Sequence, residues 1–143
     1  VLTMFLALNA SVELYKGGVV PLTEYAQRPY DRDILVRVLV PKENARFVYQ
    51  SVRNSQTDFP MLTCAAAKLA DGSIRAAIGA RPGKAVLYTA APEAGEAAEE
   101  FAARFAAEVK ADIKTESNLR GGAEYRRHLA GVLTKRAVCR LEG

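Results

Sequence analysis

Residues 119–138 read Leu-Arg-Gly-Gly-Ala-Glu-Tyr-Arg-Arg-His-Leu-Ala-Gly-Val-Leu-Thr-Lys-Arg-Ala-Val. The Gly-Gly pair interrupts the chain, and the apolar side chains after it recur at the i, i+4, i+7, i+8 spacing of one helical stripe. These side chains are Tyr125, Leu129, Val132 and Leu133. The cations lie off that stripe, and they are Arg126, Arg127, Lys135 and Arg136. The stretch predicts an amphipathic helix on a core, and we expect Arg126 and Arg127 to serve packing or subunit docking.

A second helix is predicted upstream, where Glu and Ala dominate residues 93–111. Pro92 suits the first turn of that helix, and the early glutamates complement its N-terminal dipole. The carboxylates of this segment are interpreted as a solvated face. Its apolar stripe consists of Ala98, Phe101, Ala102, Phe105 and Val109.

Before residue 93 the chain alternates short apolar runs with turn residues, a pattern typical of strands. Asp71-Gly72 separates the run 61–69 from the run 74–78, which favours a β-hairpin. Strands followed by helices predict an α+β fold, an antiparallel sheet with helices packed on one face. The other predicted strands are 11–15, 34–40, 46–53 and 84–89.

Composition excludes several classes of protein. Half of the 143 residues are hydrophobic and a quarter are charged, which is ordinary for a globular domain with its own core. The net charge of +4 is too small, and too evenly spread, to predict a nucleic-acid partner. No apolar run approaches the ~20 residues of a membrane span. The opening run has neither an initiating Met nor a basic signal-peptide region, so we expect the later part of a longer polypeptide.

The residue types needed for catalysis or metal binding are scarce. His128 is the one histidine, and no Cys, Asp or Glu stands at a spacing that completes a metal site or a base pair. Cys64 and Cys139 are expected to be reduced intracellular thiols. Gly79–Gly83 lacks the ending of a phosphate loop and predicts a turn. The sequence therefore predicts no catalytic and no metal-ligating residue.

One polar loop keeps two interpretations open. Residues 53–58, Arg-Asn-Ser-Gln-Thr-Asp, place many hydrogen-bond donors and acceptors between two predicted strands. They form either an ordinary solvated loop or a loop that reaches a ligand or a neighbouring domain.

Residues 119–130 resemble the C-terminal domain of the FAD-binding (medium) subunit of molybdenum hydroxylases, the family of xanthine dehydrogenase and carbon monoxide dehydrogenase. That domain has a small-residue pair, then Glu-Tyr-Arg-Arg, then a hydrophobic helix ending in basic residues. Residues 33–41 resemble the strand that leaves the family's FAD-binding domain, and 53–58 resemble its Arg-rich, Asp-containing loop. The resemblance implies that residues 1–43 are the C-terminal remnant of the FAD-binding domain, and 44–143 the flavoprotein C-terminal α+β domain.

The resemblance also implies a role in electron transfer. In such enzymes iron–sulfur clusters pass electrons from a molybdenum centre through FAD to NAD or another acceptor. This chain would be a non-catalytic part that helps to form the FAD environment and the subunit contacts. The resemblance implies that Leu35, by its position on the exit strand, contacts flavin. It also implies that Tyr49, Gln50 and Ser51 lie where relatives often have a flavin-side Lys. The family's glycine-rich pyrophosphate motifs are not in the chain, so we expect the chain alone to bind no FAD.

The partners implied by the resemblance are the upstream FAD-binding domain and the iron–sulfur and molybdopterin subunits, in the cytoplasm, with a homodimer left open. Neither nucleic acid nor a membrane is expected as a partner. The alternative is a free-standing α+β protein-interaction or dimerisation module without redox function. Genomic context separates the two, since only the first requires upstream Gly-rich FAD motifs and neighbouring iron–sulfur and molybdopterin genes.

Overall fold

The computed structural model describes residues 1–29, 32–42 and 45–143. Helices and antiparallel strands follow one another as an α+β fold, which confirms the predicted class. In chain order the elements are α1 (Leu2–Ala7), β1 (Ser11–Leu14), β2 (Gly18–Pro21), α2 (Leu22–Tyr25), β3 (Leu35–Leu39), β4 (Arg46–Val52), β5 (Leu62–Lys68), β6 (Ile74–Gly79), β7 (Val86–Ala90), α3 (Ala98–Asp112) and α4 (Ala123–Glu142).

The strands form two antiparallel sheets. The first has the order β2-β1-β3, and the second has the order β4-β5-β6-β7. The predicted hairpin is β5–β6, and its turn is held by the Asp71 carboxylate, which accepts from the Ser73 N–H at 2.9 Å. Gly72 has φ +84°, a conformation that glycine adopts without strain. The predicted hairpin is therefore confirmed.

The main core lies between the second sheet and the pair α3 and α4. Both helices pack on one face of the sheet, as predicted, and the alternate residues of β5 and β6 point into this layer. Its large side chains are Met61, Leu62, Ile74, Ile78, Phe101, Phe105, Ile113, Leu129, Leu133 and Leu141.

A second core covers the opposite face of the same sheet. There the helix α1 packs on β5 and β6, and the core combines alanine side chains of these strands with Leu6 of α1 and Val12 and Leu14 of β1. At Gly79 an added Cβ would lie 2.5 Å from Thr3 Oγ1 and 2.9 Å from Thr63 Oγ1, two hydroxyls that are hydrogen-bonded to each other at 3.1 Å. Glycine at this position is therefore required by the close approach of α1 to the sheet.

The buried face of α4 differs from the predicted stripe. Leu129 and Leu133 are buried as expected, but Tyr125 is 49% exposed and Arg126 is only 1% exposed. Arg126 is buried because the end of the sheet offers carbonyl oxygens to its guanidinium, which a stripe of apolar residues alone does not reveal. Arg127 and His128 face solvent.

The helix α3 begins later than predicted. Pro92 lies outside it, and the chain first makes a turn in which the Glu93 N–H donates to Glu96 Oε2 at 2.9 Å. Gly95, at φ +80°, closes that turn. The first turn of α3 does carry two glutamates, Glu99 and Glu100, as the dipole argument requires.

The predicted division of the chain falls at Glu43 and Asn44, which lie outside the described residues. The division into 1–43 and 44–143 stays a prediction. Within the described ranges, no helix has both the length and the apolar character needed to span a membrane.

Candidate functional site

A cleft with several polar side chains lies between α1 and the loop that follows β6. Its inner part, defined as the part lined by Thr3, Tyr49 and Thr63, has a volume of about 340 Å³, and it shares Leu2 and Lys84 with a neighbouring cavity of about 510 Å³. The Lys84 ammonium donates to the Arg28 carbonyl at 3.0 Å and so links the loop to the N-terminal part. The polar and aromatic residues of the inner part are Thr3, Tyr49, Arg53, Thr63 and Lys84.

The four residues assigned to flavin contact lie in different places. Tyr49 lines the inner cleft and is 37% exposed, whereas Leu35 is 43% exposed on β3, in the other sheet. Gln50 faces the helices, where its amide donates to the Leu133 carbonyl at 3.5 Å. Ser51 accepts from Arg53 Nε at 3.4 Å. Their roles toward flavin remain predictions.

The polar loop 53–58 is tied to the segment that leads into α4. The Asp58 carboxylate accepts from Arg120 Nε at 3.0 Å, and the Asn54 amide donates to the Arg120 carbonyl at 3.1 Å. The Arg120 guanidinium, followed by the Phe59 backbone N–H, holds the pKa of Asp58 below its usual value. The side chains of Asn54 and Asp58 are therefore hydrogen-bonded within the chain, to the segment that precedes α4.

Arg126 joins three segments at this end of the sheet; the sequence predicted packing or subunit docking for it, but not burial and not these partners. Its Nη1 donates to the carbonyls of Met61 and Ala80, the latter at 2.5 Å, and its Nε donates to Gly121 at 3.3 Å. Its Nη2 donates to the Asn118 side chain. Burial, and then the nearby Arg120, lowers the pKa of Arg126. Arg126 precedes Leu129 by three residues and Leu133 by seven. This helical spacing places Arg126 on the same face as the two buried leucines, and it could have indicated the burial of Arg126.

The described residues offer little chemistry of their own. No group of three or more His, Cys, Asp or Glu side chains in 1–29, 32–42 and 45–143 is arranged to hold a metal ion. His128 is exposed on α4. Gly79–Gly83 forms a bend, as expected, in which Ala80 has φ +58° and Arg81 Nε donates to the Lys84 carbonyl at 2.7 Å.

Cys64 is inert because it is buried in the main core. Burial raises the pKa of its thiol from 9.0 to about 12, which lowers the reactive thiolate fraction about a thousandfold.

We expect iodoacetamide at mildly alkaline pH to label the half-buried Cys139 first, and Cys64 only after unfolding. Mass spectrometry of native and urea-unfolded protein checks this, with Cys139→Ser as the control. Equal native labelling rates at both cysteines would contradict the burial.

The sheet with its helix pair places the chain among α+β domains, and sequence comparison identifies the family. Residues 47–141 match the model of the CO dehydrogenase flavoprotein C-terminal domain. The chain belongs to this family, which confirms the resemblance to the flavoprotein subunit of molybdenum hydroxylases. No curated protein sequence gives a significant match.

Solved structures share the fold at low sequence identity. Carbon monoxide dehydrogenase from Hydrogenophaga pseudoflava superposes with TM-score 0.78 and 22% identity over 99% of this chain and 55% of its own. Quinoline 2-oxidoreductase from Pseudomonas putida 86 superposes with TM-score 0.76 and 19% identity, over 98% of this chain and 54% of its own. CO dehydrogenase from Oligotropha carboxidovorans superposes with TM-score 0.73 and 20% identity, over 99% of this chain and 55% of its own. The chain thus spans about half the length of these relatives.

Proposed function

We propose that this chain acts as the non-catalytic C-terminal part of a flavoprotein subunit in a molybdenum-dependent dehydrogenase. It helps to form the FAD environment and the subunit contacts, while electrons pass from iron–sulfur clusters through FAD to NAD or another acceptor. The observation that carries the proposal is the family match over residues 47–141. The partners are an upstream FAD-binding domain and the iron–sulfur and molybdopterin subunits, in the cytoplasm.

Three of the four residues assigned to flavin contact carry side chains of the kind that a flavin requires, although they lie on strands of different sheets. An isoalloxazine ring binds apolar or aromatic surface together with a few polar groups. Leu35 and Tyr49 would supply the surface and Ser51 a hydroxyl, while Gln50 would hold β4 against α4. When bound, FAD supplies the redox chemistry, and the protein supplies binding and orientation.

We expect the chain alone to bind no FAD, because the pyrophosphate motifs of the family are missing from it. Titration of FAD into the purified chain, followed by flavin fluorescence and calorimetry, should show no stoichiometric binding. Binding with one FAD per chain would overturn this expectation. In that case Tyr49→Ala, compared with Tyr125→Ala on α4, tests whether the cleft is the site.

The alternative function, a free-standing interaction or dimerisation module, makes a different prediction. A gene product limited to this domain, dimeric in sedimentation and without neighbouring iron–sulfur and molybdopterin genes, would favour the module. A flavin-containing product that co-purifies with iron–sulfur and molybdopterin subunits would favour the proposed dehydrogenase.

A further inference from the structure

A groove of about 200 Å³ lies between α3 and α4 on the exposed side of the helix pair. The two helices come close together here, because Gly131 of α4 lies against α3. A Cβ added at Gly131 would be 3.3 Å from Lys110 Cβ and 3.4 Å from the Ala106 carbonyl oxygen. The apolar part of the lining therefore consists of small residues and one valine, namely Ala106, Ala107, Gly131 and Val132.

The rest of the lining is basic. Lys110 lies on α3, His128 and Lys135 lie on α4, and all three are exposed. In the part of the chain that the structure describes, neither lysine side chain forms an ion pair or a hydrogen bond. The helix α4 also carries no carboxylate between Glu124 and Glu142. The groove thus has a positive border that its own helix does not neutralise.

The carboxylates of α3 near Lys110 are occupied by other partners. Glu108 accepts from Arg104 Nη1 at 3.1 Å, and Asp112 accepts from the Tyr88 hydroxyl at 3.0 Å. Both acidic groups are therefore held by side chains outside the groove. The two lysines remain available to carboxylates of another molecule.

We infer that the groove between α3 and α4 binds an acidic segment of a partner subunit. Carboxylates of that segment pair with Lys110 and Lys135, and its apolar side chains lie on the alanines, Gly131 and Val132. The inference rests on the proposed function and names one of its subunit contacts. An amphipathic segment in an apolar groove is a common mode of recognition, and complementary charge around the groove fixes its register and selects the partner.

Other occupants fit the groove less well. Two copies of the chain would bring the same positive borders together, and like charges across an interface are unfavourable. Single-stranded nucleic acid is bound largely by stacking on aromatic rings, and none of the described residues that line the groove is aromatic. A membrane surface is bound by large apolar side chains, whereas Val132 is the largest apolar residue of this lining.

Carbodiimide cross-linking tests the inference on the complex that co-purifies with the full-length gene product. The reagent joins a lysine amine to a carboxylate only when the two are in contact, and mass spectrometry identifies the linked pair. We expect Lys110 and Lys135 to be linked to Asp or Glu residues in a single segment of a partner subunit. The internal control is Lys68, whose Nζ lies 2.6 Å from Glu142 Oε2 and which should be linked within the chain. A linked Lys68 beside unlinked Lys110 and Lys135 would overturn the inference, as would links from the groove to a second copy.

A pair of charge-reversal variants gives an independent measurement. Lys135→Glu should weaken the binding of the partner subunit about tenfold and reduce the salt dependence of this binding, because it places a carboxylate against the acidic segment. The matched control is Arg136→Glu, the same reversal one residue further along α4, at an exposed position outside the groove lining. It should weaken binding less than about threefold. Both variants should keep the melting temperature of the unaltered chain, and equal affinities for the two would contradict docking in the groove.

The composition of the purified complex separates this inference from the proposed function. A complex that contains FAD and the partner subunits, but no cross-link from the groove, refutes the docking alone. A full-length product with neither FAD nor partner subunits refutes the proposed function and the docking with it.

Discussion

Arg126→Met is expected to lower the free energy of unfolding by about 3 kcal/mol or more, a large part of the stability of an ordinary domain. The substitution leaves the carbonyls of Met61 and Ala80 without the Arg126 donor at a site where Arg126 is 1% exposed, whereas the Gly121 carbonyl keeps its hydrogen bond from the Asn118 N–H. Each buried acceptor left without a partner costs about 1–3 kcal/mol, and removal of the buried charge offsets part of the sum.

Urea unfolding followed by far-ultraviolet circular dichroism measures this effect, since the chain has no tryptophan for fluorescence. The matched control is Arg127→Met, one position further along α4 and exposed, for which we expect a change within about 0.5 kcal/mol. Arg126→Lys keeps the charge but cannot reach all the acceptors at once, so it should fall between the two. If Arg126→Met and Arg127→Met had the same midpoint and slope, the carbonyl cluster would have no role in stability.

Phe101→Ala is expected to cost about 4 kcal/mol, because the substitution empties a site at the centre of the main core. Phe101 is fully buried and stacks on Phe105 with ring centroids 6.0 Å apart. The Arg104 guanidinium carbon lies 5.3 Å from the Phe101 ring centroid, so truncation also removes a cation–π contact.

The control for this loss is a second phenylalanine in a different environment. Phe59 is 74% exposed, and its ring contact is with the Arg120 guanidinium, 5.2 Å from the ring centroid. Phe59→Ala should therefore cost less than about 1 kcal/mol under the same conditions. Similar losses for the two variants would mean that α3 is not packed on the sheet as described.

The fold class could be predicted from the sequence because local patterns carry it. The Asp71-Gly72 turn between two apolar runs specifies the β5–β6 hairpin, and the Phe101–Phe105–Val109 spacing specifies the inner face of α3. Helix boundaries were less predictable. Pro92 suited a helix start, but the turn around Gly95 delays α3 to Ala98.

The candidate site was predicted less well, because its residues come together from distant parts of the chain. The Asp58–Arg120 pair joins residues 62 positions apart, and no local period signals such a contact. The cleft beside Tyr49 likewise depends on how α1 packs over Gly79. The sequence resemblance located the family, while the arrangement of Leu35, Gln50 and Ser51 around a flavin stays a prediction.

The helix of residues 119–138 shows which features the amino-acid sequence determines and which depend on the tertiary structure. The amino-acid sequence by itself determined that a helix forms after Gly121-Gly122, that it packs on a sheet through Leu129 and Leu133, and which family it belongs to. Only the tertiary structure decided that Arg126 is buried and Tyr125 exposed. The reason is physical: a buried cation is stable only where distant carbonyl oxygens converge on it, and the folded chain alone brings those oxygens together.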